Sequence, residues 1–250
     1  MPAIGDALLL VLVGGVAGFV NILAGGGSLL TLPVLIFLGL PAATANGTNR
    51  VAIFFQNIFA IGGFRRRGVF PARLALLCTP PALLGSYIGA NLAIDIDDAL
   101  FERLLALIMI GVLIVTAVDP VRRFGLDREK PLTPLRTAVL MVLFFGVGVY
   151  GGFVQAGVGF LIISGLLLYG LDLVRINAVK VIVIFAFTLV ALGVFVAHDQ
   201  IDYGLGLALA AGNSTGGWIA THLAVKKGHE WIRRIVSLTV VIFALKLLFG

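Results

Sequence analysis

Two glycine clusters inside apolar stretches of the sequence have the residue types and spacing expected of a ligand-binding site. The first is Gly25-Gly26-Gly27-Ser28, and the second is Gln155 followed by Gly157 and Gly159. Each cluster would break a helix and leave backbone N–H groups free at the start of the next helix, where the helix dipole places about +0.5 of a charge. Glycine suits such a position because the backbone itself approaches the ligand. The clusters predict an oxyanion site, with close helix packing through small residues as the alternative interpretation.

Two cations, Arg50 and Lys180, fall three to five residues inside apolar segments. Snorkelling to the lipid headgroups would account for either one. All twelve acidic residues, however, lie in loops or at segment ends, which disfavours cation carriers and carboxylate proton relays. Lys180 therefore has no obvious counter-ion in the protein, and a bound anion would remove the cost of its buried charge. Replacing Lys180 by Met should then lower anion affinity without harming expression.

The candidate substrate-binding residues combine the glycine clusters and the two cations with neutral polar residues near them. They are Gly25, Gly26, Gly27, Ser28, Asn46, Thr48, Asn49, Arg50, Gln56, Gln155, Gly157, Gly159, Asn177 and Lys180. The sequence contains no Walker A, dinucleotide-binding or HExxH motif. Its single cysteine, Cys78, allows neither an internal disulfide nor a CxxC metal site. We expect no catalytic residues, no bound metal and no cofactor, and therefore not an enzyme.

The elements that must position these residues are predicted to be membrane-spanning helices. Of the 250 residues, 60% are hydrophobic and 12% are charged, whereas soluble domains have about 45–50% and about 25%. This composition excludes soluble enzymes, nucleic-acid-binding proteins and disulfide scaffolds. Runs long enough to cross a bilayer occupy residues 7–24, 48–64, 72–94, 99–118, 135–155, 176–197, 203–225 and 231–249. Two shorter runs, 28–40 and 157–170, follow the glycine clusters, so the predicted fold class is an all-α integral membrane protein of eight to ten hydrophobic segments, two of them short or broken.

We expect the chain to divide into a first transmembrane repeat at residues 1–118, a cytoplasmic linker at 119–134 and a second transmembrane repeat at 135–250. Similar residues recur in the same order in both repeats, each of about five segments. The matching positions are Gly18-Phe19-Val20-Asn21 with Gly152-Phe153-Val154-Gln155, Asn46 with Asn177, and Gly85 and Gly89 with Gly212 and Gly216. The alternative is a duplication kept for packing alone.

The charges reverse between matching loops. Arg65-Arg66-Arg67 in the first repeat corresponds to a loop with Asp199 and Asp202, and an acidic loop at residues 95–98 corresponds to Lys226-Lys227. Because cationic loops stay in the cytoplasm, the two repeats are expected to be inverted, which is typical of transporters with a midplane site. We predict that both termini lie outside and that residues 65–71, 119–134 and 226–231 are cytoplasmic.

The first repeat resembles the sulfite exporter TauE/SafE family. The residues that carry the resemblance are the run AGGGSLLTLP at 24–33, Gly39-Leu40-Pro41, ANGTN at 45–49 and the turn from Gly63 to Gly68. The duplicated halves, the central polar loop and the overall length are similar too, so the resemblance covers nearly the whole chain. It implies transport of sulfite, a sulfonate or a related organic anion across a bacterial inner membrane.

The expected function is secondary transport of a small anion by alternating access between inverted repeats. The expected partners are a small anionic substrate and the lipid bilayer, and no nucleic acid is expected to bind. We expect the chain to cross the inner (plasma) membrane several times. The sequence leaves open whether the protein forms a homo-oligomer. The alternative is a non-transporting membrane scaffold or a subunit of a larger membrane complex. A scaffold should tolerate polar-to-apolar changes at Asn49 and Gln155, and a carrier should not.

Overall fold

The computed structural model describes residues 4–117 and 131–249. These residues form helices, and no strand occurs among them, which confirms the all-α class. The helices are α1 (Ile4–Leu23), α2 (Ser28–Phe37), α3 (Ala42–Arg66), α4 (Ala72–Ile94), α5 (Asp98–Ala117), α6 (Pro134–Phe153), α7 (Val158–Leu167), α8 (Leu173–Ala197) and α9 (Tyr203–Phe249). The predicted linker at 119–134 falls almost wholly outside the described residues.

Four helices of the described chain are long and apolar enough to cross a membrane: α1, α4, α6 and α8. The short helices α2 and α7 have ten residues each. At 1.5 Å per residue they are about 15 Å long, which is half the thickness of the hydrocarbon core. The predicted helix breaks before α2 and α7 are therefore present, whereas a total of eight to ten crossings stays a prediction.

The C-terminal part of the chain differs from the sequence prediction. Residues 226–231 were expected to be a loop between two spans, but they lie inside α9, a single helix of 47 residues. The prediction was wrong because it took the charges of Lys226, Lys227 and Glu230 as the end of a helix. Lysine and glutamate are good helix formers, and this stretch contains no proline.

Glycines bring helices of the two halves into backbone contact. A Cβ atom at Gly18 of α1 would overlap the carbonyl of Asn213 in α9, and one at Gly152 of α6 would overlap that of Ser86 in α4. Close approach of this kind is the usual use of small residues between membrane helices. The first helix of each half thus packs on the fourth helix of the other half.

The central helices α3 and α8 run in opposite directions. Near the start of α3, the Thr44 hydroxyl donates to Gln200 Oε1 at 2.6 Å, and Thr48 Oγ1 accepts from the Asp202 amide at 2.9 Å. Residues 198–202 follow the end of α8, and we call this side of the molecule the acidic end. Residues 68–71, between α3 and α4, line a common cavity with Leu171, Asp172 and Val174 at the start of α8. We call that opposite side the basic end.

The helices before each central helix form hairpins. The helix α1 runs parallel to the first part of α9, because Gly14 contacts Leu209 and Gly18 contacts Asn213; α9 begins at the acidic end. Since α3 also begins there, α2 must return the chain to the acidic end. In the other half α6 runs parallel to α4, from the basic end, and α7 returns the chain to the basic end where α8 begins.

Apolar side chains of both hairpins are packed in one buried cluster. The largest cluster of buried side chains includes Phe144 of α6, Phe160 and Ile163 of α7 and Phe187 of α8. Eight of the ten residues of α7 are buried, and Leu161 is 40% exposed. The hairpin tips are therefore fixed within the protein.

Candidate functional site

The tips of the two hairpins meet in the interior of the molecule. The first break comprises residues 24–27 and the second comprises residues 154–157. A Cβ atom at Gly25 would overlap the backbone of Gly159, and the reverse substitution would overlap Gly25. Gly25 and Gly157 have φ values of +87° and +70°, a conformation that glycine adopts without cost. The glycines thus allow both the turns and their contact.

Each break leaves backbone donors unpaired. Among the described residues, the amides of Gly26, Gly27 and Ser28 donate no backbone hydrogen bond, and neither do those of Gly157 and Gly159. Such amides at a helix N-terminus are the donors that bind oxyanions. The predicted helix breaks and free amides are therefore present, and an oxyanion site at them stays a prediction.

Buried polar side chains of the first half surround the first break. Asn49 accepts from the Thr31 hydroxyl at 2.7 Å and donates to Ser28 Oγ at 3.2 Å. Asn21 donates to Gln56 Oε1 at 3.2 Å, while Gln56 Nε2 is buried without a partner. This cluster lies on α1, α2 and α3, and it keeps one free amide donor inside the protein.

Lys180 of α8 binds the end of α1 in the other half. Its ammonium donates to the carbonyl oxygens of Asn21 at 2.9 Å and Ile22 at 2.7 Å, and to Asn177 Oδ1 at 2.7 Å. As expected from the sequence, none of these acceptors is an acidic side chain; the sequence did not indicate that neutral oxygens would accept all of its hydrogen bonds. Carbonyls of the last helical turn carry the negative end of the helix dipole, which stabilises a cation. All three N–H groups of Lys180 have protein acceptors.

Arg50 of α3 makes the corresponding contacts with the end of α6. Its guanidinium donates to the carbonyls of Gly151 at 3.0 Å and Gly152 at 2.5 Å. It also donates to Gln155 Oε1 and Asn46 Oδ1, each at 3.2 Å. Arg50 is fully buried, and only its Nε lacks a partner. Each central helix therefore places one cation against the end of the broken helix of the opposite half. Asn177 only accepts from Lys180, and its Nδ2 is buried without a partner.

The second break has further side-chain support. Gln155, in the left-handed region at φ +63°, donates through Nε2 to the Thr188 hydroxyl at 2.7 Å. The Tyr150 hydroxyl donates to the carbonyl of Ala156. Asn46 donates to the carbonyl of Phe153 at 2.6 Å. The break is thus a defined turn with its carbonyls bound.

Most of the predicted residues lie around the two breaks, with Lys180 at the first and Arg50 at the second. Thr48 lies apart, with its hydroxyl on the loop at the acidic end. Asn21, Thr31 and Thr188 touch the candidates but were not among them. The sequence did show that these three polar residues lie within apolar runs, but it did not indicate which candidate residues they would contact.

A cavity of about 640 Å³ opens at the basic end, away from the two breaks. Arg73 and Tyr169 line it together with apolar side chains, and Arg65 stacks on its Phe70 wall at 5.8 Å. Burial raises the pKa of the Tyr169 hydroxyl, which donates to the Arg136 carbonyl at 2.9 Å. Its charged lining residues are Arg73, Asp172 and Arg175, and sequence patterns did not predict this cavity.

The described part of the chain contains no set of side chains that could coordinate a metal ion. No group of three or more His, Cys, Asp or Glu side chains lies close enough there to hold an ion. Within the same part, none of the buried polar residues is acidic. The interior polar groups are amides, hydroxyls and the two cations.

The sequence profile of the sulfite exporter TauE/SafE family matches residues 10–247. This chain belongs to that family. A probable membrane transporter protein of Haemophilus influenzae is 30% identical over 236 residues, covering 93% of this chain and 91% of the relative. The probable membrane transporter protein YfcA of Escherichia coli is 26% identical over 235 residues, with 93% and 86% covered. No solved structure matches the chain.

Proposed function

We propose that this protein is a secondary transporter of a small anion, such as sulfite, a sulfonate or a related organic oxyanion. Membership of the TauE/SafE family and relatives named as probable membrane transporters support transport. The interior polar groups support an anion, because the buried cations have no acidic partner among the described residues. We place the protein in the bacterial inner membrane as a multi-pass chain.

The proposed mechanism is alternating access between two inverted repeats. Three relations support the inversion: α3 and α8 are antiparallel, α1 is parallel to α9, and α4 is parallel to α6. Together they reverse the first four helices of one half relative to their counterparts in the other. The two hairpins enter from opposite ends of the molecule and meet at their tips. This is the position at which inverted-repeat transporters bind their substrates.

The observation that carries the proposed anion site is the contact between two helix breaks with unpaired amides. The amides of Gly26, Gly27 and Ser28 would bind anion oxygens from one side, and those of Gly157 and Gly159 from the other. Asn49, Gln56 and Gln155 would provide side-chain donors. Arg50, Asn46, Asn177 and Lys180 would supply positive charge and orient the breaks, while Thr48 belongs to the outer rim of the proposed site.

We further propose that the basic end faces the cytoplasm. Arg65, Arg66 and Arg67 lie there, and Arg67 contacts His222 of α9 at 2.6 Å. The loops at 65–71 and 198–202 lie at opposite ends of α3, in keeping with the charge reversal between repeats.

Anion-dependent thermal stabilisation of the purified protein tests the proposed site. Sulfite, sulfonates and carboxylates are compared with chloride at equal ionic strength. A bound anion at 100 times its Kd should stabilise the folded state by about 2.7 kcal/mol. Asn49→Leu should weaken binding at least tenfold, or about 1.4 kcal/mol.

Asn57→Leu is the matched control. Asn57 is buried in α3, as Asn49 is, and its side chain donates to the carbonyl of Ile53 in the preceding turn at 2.8 Å. This variant should leave the anion affinity nearly unchanged. Equal effects of the two variants, or no stabilisation by any anion, would favour the scaffold alternative.

A further inference from the structure

We propose that Lys180 and Arg50 are the two gates of the transport path, each closing the central site toward one end of the molecule. This inference rests on the proposed transport function and adds to it a specific role for each cation. In this role both residues are positioning residues: they hold the breaks closed through the carbonyls at the ends of α1 and α6.

Each gate joins the two halves of the chain. Lys180 belongs to the second half and holds Asn21 and Ile22 of the first. Arg50 belongs to the first half and holds Gly151 and Gly152 of the second. A movement of one half relative to the other must therefore stretch or break these bonds. Contacts of this kind are suited to control relative motion of two repeats.

The two gates lie at different depths. The Arg50 guanidinium stacks on the Phe195 ring at 4.8 Å, so it lies near the end of α8. Lys180 and Phe195 are fifteen positions apart on α8, which corresponds to about 22 Å along the helix. Lys180 is therefore nearer the basic end, Arg50 is nearer the acidic end, and the contact between the breaks lies in the interior with them.

Both gates are closed in this structure, and an anion offers a way to open them. Its oxygens would compete with the helix carbonyls for the same N–H groups, and a charged acceptor forms the stronger hydrogen bond. Release of Lys180 from α1 frees the tip of the first hairpin toward the basic end. Release of Arg50 from α6 frees the second tip toward the acidic end.

Side-specific labelling of a cysteine beside the breaks tests this assignment. Ser28→Cys in a Cys78→Ser background provides the probe, and a membrane-impermeant maleimide is applied to vesicles of either orientation. Arg66→Cys and His198→Cys, each in the Cys78→Ser background, mark the basic and acidic ends. Lys180→Met should raise the labelling rate of residue 28 at least tenfold from the basic end only. Arg50→Met should raise it from the acidic end only.

Two controls and one pair of substitute variants make the result specific. Lys180→Arg should stay protected, because it restores the donors. Ser86→Ala removes another buried donor, to the Phe187 carbonyl at 2.8 Å, and should not change labelling from either end. If the Met variants do not fold, Asn177→Leu and Asn46→Leu weaken the same gates and should give the same sidedness.

The assignment is overturned if Lys180→Met and Arg50→Met increase the labelling of residue 28 from the same end, or if neither variant increases it. Because labelling needs no substrate, its outcome is independent of flux. Gates that open as expected in a protein without anion flux would refute the proposed function while leaving the gate geometry in place.

Discussion

Lys180 and Arg50 direct their hydrogen bonds to helix ends in the opposite half of the chain. Their position inside apolar segments was evident from sequence, and so was the matching asparagine beside each. Their acceptors could not be predicted, because backbone carbonyls have no sequence signature and come from residues more than 100 positions away. The sequence therefore identified two cations without acidic partners, but it could not show that neutral oxygens at the helix ends partly compensate their charge.

This compensation changes the expected effect of Lys180→Met. Two helix-end carbonyls and Asn177 would lose their donor inside the protein, which costs about 1–3 kcal/mol of unfolding free energy. We expect a lower Tm in detergent, contrary to the intact or improved expression that the sequence alone suggests. Lys226→Met, at an exposed lysine, should leave Tm nearly unchanged. An unaltered Tm for Lys180→Met would mean that its hydrogen bonds contribute little.

The contact between Gly25 and Gly159 makes a second prediction. Gly159→Ala places a methyl group against the Gly25 backbone, so the two breaks must separate. We expect loss of folded protein or of anion-dependent stabilisation, measured by monodispersity and thermal shift. Gly146→Ala, in α6 with open space around the new Cβ, should be neutral or slightly stabilising. Similar behaviour of both variants would show that the breaks can move apart freely.

Among the helices, the breaks were predictable because glycine clusters interrupt apolar runs at matched positions. The continuity of α9 was not, since charged helix formers resemble a loop in a hydropathy pattern while still favouring helix. The return direction of α2 and α7 was also undetermined, because a ten-residue helix carries no information about which way it points. Tertiary contacts of the neighbouring long helices determine both directions.

The hairpin directions can be tested with single cysteines in the Cys78→Ser background. Phe37→Cys, at the exposed end of α2, should react from the same side as His198→Cys. Leu168→Cys, after the end of α7, should react from the same side as Arg66→Cys. Impermeant labelling of oriented vesicles provides the measurement. Reaction of Phe37→Cys from the Arg66 side would mean that α2 continues across the membrane instead of returning.

For the molecule as a whole, two hairpins enter from opposite ends and close on one another at glycine contacts. The long helices of each half pack on those of the other, so neither half forms its part of the site alone. Unpaired amides lie at the contact and cations lie to either side of it, which is the charge distribution expected for an anion path. The central claim is that this contact is where an anion is bound and passed across the membrane.

Counterflow in proteoliposomes tests that claim most directly, because it depends neither on the coupling ion nor on the physiological direction. Vesicles preloaded with unlabelled sulfite or a sulfonate are diluted into a trace of the labelled anion. The account predicts transient accumulation of label that saturates with concentration, survives Asn57→Leu and is lost in Asn49→Leu. Absence of counterflow for every anion that stabilises the purified protein, or its full retention in Asn49→Leu, would contradict it.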